Sequence, residues 1–322
     1  MSRVPLPIPA VELRELIGGH DADAFENPSG RPIFDGLPDR QWRSYLDFGC
    51  GCGRSARRLA LQYPRPDRYV GLDLHHGMVR WCQENLQPVL EGFAFLHHDV
   101  FNPGLNPDRS RPWALPLPVA DDSVSLIEAT SVFTHLVEGQ TEFYLDEVAR
   151  ILTSDGVLQA TFFLFDKSAF PFLQPTQNAL YVNPEDPTNA VAFDRGWLIQ
   201  SLEDRGLCLI DAGPPEIRGF HWHLRVARVG SGHRAVSLPE DTAPVGHRPP
   251  PALRTGAADF GPGVNVVAAV RIAPRAALPE PDPLAAELAG ATQYIASLEQ
   301  HLAAERDHVE RLLAALAVAQ GR

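Results

Sequence analysis

The 322-residue sequence predicts an α/β fold: a doubly wound, seven-stranded, mostly parallel sheet, followed by a C-terminal coiled-coil helix. Three observations predict it. From Ser44 onward short β-rich runs alternate with helical patterns, the arrangement that builds parallel strands with helices on both faces. A glycine-rich turn, Gly49-Cys50-Gly51-Cys52-Gly53, joins the first strand to the first helix, at the edge where open α/β sheets carry their ligands. The last stretch, 284–322, returns to a regular apolar period of four and three.

Residues 1–43 hold a short amphipathic stretch, 11–17, and then a run punctuated by Gly, Pro and Asp; this segment reads as a lead-in or lid. Strands are expected at 44–49, 68–73, 93–97, 123–129, 156–165, 207–212 and 222–229, and helices at 53–63, 76–87, 139–152 and 194–205. Only a loop separates the last two strands, so they pair antiparallel and leave one reversed edge strand. The sheet domain thus spans 44–230. A Pro/Gly-rich linker with a possible extra strand at 264–272 fills 231–283. Beyond it, Leu284, Leu288, Ala291, Ile295, Leu298, Leu302, Val309, Leu312, Leu316 and Ala319 form one narrow stripe, interrupted by Glu305. That pattern predicts a coiled-coil helix at 284–322 that joins copies of the chain into a homo-oligomer; the alternative is a single helix packed on its own domain.

Composition narrows the function. A formal net charge of -12 argues against general nucleic-acid binding, which needs basic residues to neutralise phosphates. No apolar run has the length of a membrane span, and the N-terminus lacks the apolar segment of a secretion signal, so the expected location is the cytoplasm. Cysteines 50, 52, 82 and 208 have neither metal-ligand spacing nor the density of a disulfide scaffold, and read as small apolar residues in a reduced compartment.

The turn after the first strand is the most informative segment. A dinucleotide-binding turn needs a small residue three positions beyond its second glycine, and here that position is Arg54. The pattern is instead acidic-x-G-x-G-x-G: Asp47, Gly49, Gly51, Gly53. Asp73 ends the next strand, 20 residues beyond Gly53, where a carboxylate can accept hydrogen bonds from two ribose hydroxyls. The third strand leads into His97-His98-Asp99-Val100, and the two histidines, adjacent on a strand, point to opposite faces and cannot share a metal. A Pro-rich approach, an acidic turn at Asp121-Asp122 and the strand to Ala129-Thr130 follow.

These four segments, in order, resemble class I S-adenosylmethionine-dependent methyltransferases, bacterial ones associated with surface-polysaccharide or sugar modification among them. The resemblance covers about 44–230 and implies S-adenosyl-L-methionine as cofactor. It implies that Gly49, Gly51 and Gly53 flank the methionine part, with Asp47 before them; Asp73 and Leu74 meet the ribose, Asp99 and Val100 the adenine, and Ala129 and Thr130 lie beside the sulfonium. No metal is implied.

A hydroxyl acceptor is poorly nucleophilic at neutral pH and calls for a positioned base. His135, in Ser131-Val132-Phe133-Thr134-His135-Leu136 just past the fourth strand, is the candidate catalytic base; the alternative is that it caps or packs the following helix. Phe133, Asp166, Tyr181, His221 and His223 are candidate acceptor contacts. His221 and His223 share one strand face, and either line the acceptor pocket or bind a divalent ion; Asp166 and Lys167 alternatively belong to a solvated loop. The loop-like insertion after the fifth strand carries Phe170, Phe172 and Tyr181, which either stack on a sugar or ring or close a small local core. The expected reaction is O-methylation of a sugar, glycan or small-molecule hydroxyl, with docking to a glycan-assembly enzyme as a further expectation. The alternatives are methylation of a nitrogen or carboxylate acceptor in secondary metabolism, or a non-catalytic cofactor-binding scaffold.

Overall fold

A computed structural model describes residues 6–18, 21–170, 173–183, 186–213 and 221–240. All of them lie in the first of two units of the chain, Met1–Ile272; the second, Ala273–Arg322, holds the expected coiled coil and lies outside the described residues, as does the possible strand at 264–272.

After a four-residue helix, α1 (Val11–Arg14), strand and helix alternate. They run β1 (Ser44–Phe48), α2 (Arg54–Leu61), β2 (Arg68–Asp73), α3 (His76–Asn85), β3 (Phe93–His97), β4 (Val124–Ala129), α4 (Glu138–Ile151) and β5 (Leu152–Phe165). Then come β6 (Ala179–Tyr181), β7 (Val191–Asp194), α5 (Arg195–Glu203), β8 (Leu207–Ala212) and β9 (His221–Arg228). The strands form one sheet in the order β3-β2-β1-β4-β5, parallel throughout this part.

Alternation along β1 explains how both faces are buried. Tyr45 points to one side, where it packs with Tyr69, Phe93 and Phe95 under α2 and α3 residues Ala56, Leu59, Val79 and Cys82. Leu46 and Phe48 point to the other, and join Val70, Leu72, Ile127, Leu158 and Phe162 beneath Tyr144, Leu145 and Val148 of α4 and Leu198 and Leu202 of α5. The helices therefore cover opposite faces, as doubly wound folds require. On the first face the rings of Phe34, Trp42, Tyr45, Tyr69 and Phe93 stack in succession, with centroids 6.3, 6.1, 5.8 and 4.6 Å apart. This row crosses three strands and fixes the tyrosine hydroxyls.

Among the described residues the sheet has nine strands where seven were expected. The two additions are β6 and β7, an antiparallel pair inside the stretch expected to be loop; β7 lies parallel to the end of β5, with Phe163 opposite Ala192. The reversed strand is also interior, not at the edge: β9 runs antiparallel to β5 on one side and to β8 on the other. β5 starts earlier than 156 because Leu152 pairs with Val124 before the register shifts, and pairing resumes at Leu126 with Val157. Phe170 packs against Phe165 with Leu173, Leu180 and Val182 in a small local core, whereas Phe172 lies outside the described residues.

Candidate active site

The glycine turn leaves β1 at the carboxyl edge of the sheet. Gly49, Gly51 and Gly53 have φ of +87, +53 and +81°, in the left-handed region that favours glycine. Space is equally restrictive: a Cβ on Gly49 would stand 2.5 Å from Val132 Cγ2, and one on Gly53 2.5 Å from Leu86 Cδ1. The turn is tied back to β2, since the N–H groups of Gly49 and Cys50 donate to the carbonyl of Leu72 at 2.7 and 3.1 Å.

Asp73 completes this connection. One carboxylate oxygen accepts the Gly51 N–H at 2.8 Å and the other the His75 N–H at 2.8 Å. Each oxygen keeps a further lone pair, the capacity a pair of vicinal hydroxyls requires. Burial raises the Asp73 pKa, opposed by those two N–H groups.

Below the turn, Asp47 of β1 stands opposite Glu128 of β4 in register. Tyr69 Oη donates to Asp47 at 2.7 Å. Glu128 Oε2 accepts the Tyr45 hydroxyl at 2.6 Å, and Oε1 accepts those of Ser55 and Thr130, both at 3.0 Å. Burial, and then the neighbouring Glu128 carboxylate, push the Asp47 pKa well above the carboxylate range. Glu128 and Ser55 were not singled out in the sequence, although Glu128 as the lone charged residue of the strand Val-Ser-Leu-Ile-Glu-Ala was a visible signal.

An N-terminal cover lies on the turn. Ile8, Leu13, Ile17 and Ala24 pack on the buried side chains of Phe25, Cys52 and Met78, and a Cβ on Gly51 would come within 3.0 Å of Ile17 Cγ2. Arg54 donates to the carbonyl of Gly18, and Arg57 to that of Phe25 at 2.7 Å.

His135 ends a 3-10 turn, Phe133–His135, that follows Ser131 in left-handed conformation at φ +59°. Its Nδ1 lies 3.0 Å from the carbonyl oxygen of Thr188. A carbonyl only accepts, so Nδ1 carries the proton and a neutral ring then has its lone pair on Nε2. Thr188 is held in turn by Asn102 at 3.2 Å and Asp186 at 2.7 Å.

The other expected residues are placed as follows. Leu74 accepts a bond from His97 Nε2 at 3.0 Å through its carbonyl, while His98 faces Tyr144 Oη at 2.8 Å, so the two histidines do diverge. Asp99 is exposed, its carboxylate engaged by Arg111 and by Asn106 at 3.1 Å, and these bonds hold its pKa below the usual value. Val100 and Ala129 are buried; Thr130 is half-buried. Phe133 is fully buried and stacks on Phe162 at 4.7 Å, which makes its ring part of the core and removes it from any exposed cleft. Asp166 is exposed and caps a short turn by accepting the Ser168 N–H at 2.9 Å. Tyr181 Oη accepts the N–H of Glu138, at the start of α4, at 3.5 Å. The rings of His221 and His223 lie 5.6 Å apart, and that of His221 is 5.0 Å from Phe163. Among the described residues no group of three or more His, Cys, Asp or Glu is placed to hold a metal ion. A cavity of about 360 Å³ lined by Gly36, Arg40, Asp211, Arg225, His233 and Arg234 lies beside the amino end of β1, not at the glycine turn.

A family model described as a methyltransferase domain matches residues 46–160, from β1 through the turn, Asp73, Glu128 and the first part of β5. That stretch is a methyltransferase domain. The protein is an enzyme that carries a methyltransferase domain. Among solved structures, the chain is similar to an S-adenosylmethionine-dependent methyltransferase from Aquifex aeolicus, at 16% identity over 62% of this chain and 93% of that one, with a TM-score of 0.37. It is similar to the YcgJ protein of Bacillus subtilis at 22% identity, 53% and 65% coverage and a TM-score of 0.36. It is also similar to a chain in the Haloferax volcanii complex of the Trm112 methyltransferase activator, at 18% identity, 58% and 83% coverage and a TM-score of 0.40.

The residues of this methyltransferase fit its cofactor. The glycine turn holds left-handed backbone at the sheet edge, and the Asp73 carboxylate beside it keeps a lone pair on each oxygen, which suits a donor that carries two ribose hydroxyls and positive charge. Gly49, Gly51 and Gly53 would hold the methionine part and Asp73 the ribose. When bound, S-adenosylmethionine supplies a methyl group already activated by its positive sulfur. What remains for the protein is alignment of the acceptor, exclusion of water and management of the acceptor's proton.

Proposed function

We propose that this methyltransferase transfers a methyl group to a hydroxyl of a sugar, glycan or other small molecule, with His135 as general base. The observation that carries this reading is the contact between His135 Nδ1 and the Thr188 carbonyl at 3.0 Å. With the proton on Nδ1, the neutral form of the ring has its basic lone pair on Nε2, the atom that would accept a proton from a hydroxyl as its oxygen attacks. A nitrogen or carboxylate acceptor would need no such base. Thr188 belongs to the segment between β6 and β7, so the insertion that varies the fold would also orient the base. Around it, Tyr181, His221 and His223 are proposed to line the acceptor side, and Ala129 and Thr130 the methyl-transfer edge; Asp99 and Val100 are proposed near the adenine.

The test is His135→Gln assayed with a panel of hydroxyl acceptors. Turnover should fall by about 10²–10⁴-fold, with S-adenosylmethionine affinity retained and the rise of rate with pH flattened. An unchanged kcat and an unchanged pH profile would refute the base.

The heptad stripe at 284–322 supports a second part of the proposal: self-association through that helix, and docking to a glycan-assembly enzyme in the cytoplasm. No described helix is long and apolar enough to cross a membrane.

A further inference from the structure

Glu128 is a buried anion that the transfer chemistry does not use. Its side chain is among the least accessible charged groups, at 5% exposure. Among the described residues its partners are hydroxyls and not a cation: Tyr45 from β1, Ser55 from the first turn of α2, and Thr130 at the exit from β4. Burying a carboxylate without a counter-charge is costly, and an uncharged residue would link the same elements at less expense. Asp47 faces it across the strand pair, and burial and then Glu128 raise the Asp47 pKa. Three hydroxyls donated to its two oxygens make Glu128 the carboxylate acceptor beneath the glycine turn, with Asp73 at the end of the next strand over.

No cation is hydrogen-bonded to Glu128 among the described residues, although Arg54 and Arg58 act on Asp47 and Tyr45 from further off, and the cofactor would bring one. The donor S-adenosylmethionine carries a sulfonium that its demethylated product, S-adenosylhomocysteine, lacks; the two are otherwise alike.

We propose that Glu128 is an electrostatic selectivity residue: clamped by three hydroxyls beneath the turn, its charge favours the cationic donor over the neutral product and so promotes exchange after each transfer. The proposal rests on the assignment of the cofactor to this turn.

Calorimetric titration of the full-length protein with S-adenosylmethionine, S-adenosylhomocysteine and sinefungin, whose amine keeps a positive charge where the sulfonium stood, separates charge from shape. In Glu128→Gln the donor and sinefungin should weaken about tenfold more than the product. In Glu128→Asp, which keeps the charge, the ratio of donor to product affinity should stay near that of the native protein. Ser55→Ala removes a hydroxyl but no charge, and should shift all three ligands together. If Glu128→Gln fails to give a native circular dichroism spectrum, Glu128→Ser, with room for a water to join the same hydroxyls, serves as the neutral variant. Equal weakening of all three ligands in the neutral variant overturns the proposal and leaves the cofactor assignment intact. Failure of the native protein to bind any of the three overturns both.

Discussion

Gly53 illustrates how a single residue can be demanded twice. Its φ of +81° costs an L-residue about 1–2 kcal/mol, and a Cβ there would meet Leu86 Cδ1 at 2.5 Å and Cys82 Sγ at 3.0 Å. Gly53→Ala should therefore lose about 2–4 kcal/mol, seen as a lowered denaturation midpoint, and should also weaken cofactor binding. Gly206, with φ +66° and no atom near its absent side chain, is a milder control that loses only the conformational part. His98 carries a different prediction. Burial lowers its pKa to about 4, and Tyr144 Oη holds the ring at 2.8 Å. Between pH of about 6.5 and 4 the unfolded chain binds a proton that the native ring refuses, so stability is full above that window and falls as pH drops through it. His98→Gln should flatten the dependence of unfolding free energy on pH in this window, measured by urea denaturation; an equally steep dependence would place its origin elsewhere.

At the scale of elements, the glycine turn is held from three sides. β2 accepts its N–H groups, Glu128 reaches up from β4 to Ser55, and the segment around α1 covers it through Ile17 and Gly18. Cys52 reports on that cover: it is fully buried, and burial pushes its thiol up to about 11. Deleting residues 1–18 should expose it and accelerate its labelling by a thiol reagent by at least an order of magnitude, read by peptide mapping, while Cys82, on the buried face of α3, stays protected. Unchanged Cys52 labelling would mean that the segment does not shield the turn. The pair β6–β7 shows where element reading fails. Each strand is three or four residues long, and Pro175, Asn178 and Asn189 around them read as loop. These strands exist because β5 runs on past the end of β4, whose pairing stops at Ala129 with Ala160, and the edge left open there takes up β7 at Phe163 to Phe165.

At the scale of the molecule, the sheet order brings the ends of β2, β1 and β4 side by side, so groups distant in sequence share one edge: Asp73 touches the turn at Gly51, and Glu128 joins Tyr45 and Ser55. The region 284–322 makes a separate contribution. A chain ending at 283 should bind S-adenosylmethionine with native affinity yet sediment as a smaller species than the full chain, measured by analytical ultracentrifugation; identical sedimentation would exclude the helix as the point of self-association.

Much of this was legible in local order. Alternating apolar runs are set by burial of both sheet faces, and a left-handed turn by the absence of a Cβ; both leave marks within a few residues, as at 44–49 and at Gly49, Gly51 and Gly53. The strands expected at 68–73, 93–97 and 207–212 stand where that logic put them, and so does Asp73 beside the turn. Long-range pairing leaves no such mark. Whether the last strand lies inside or at the edge, that Phe133 stacks in the core, that Arg111 takes hold of Asp99, and that Glu128 gathers three hydroxyls from separate elements were decided only when the chain closed on itself. The reason is physical: hydrophobic period and backbone conformation are properties of neighbours in sequence, whereas a buried polar group finds its partners among whatever the packed sheet brings within hydrogen-bond reach.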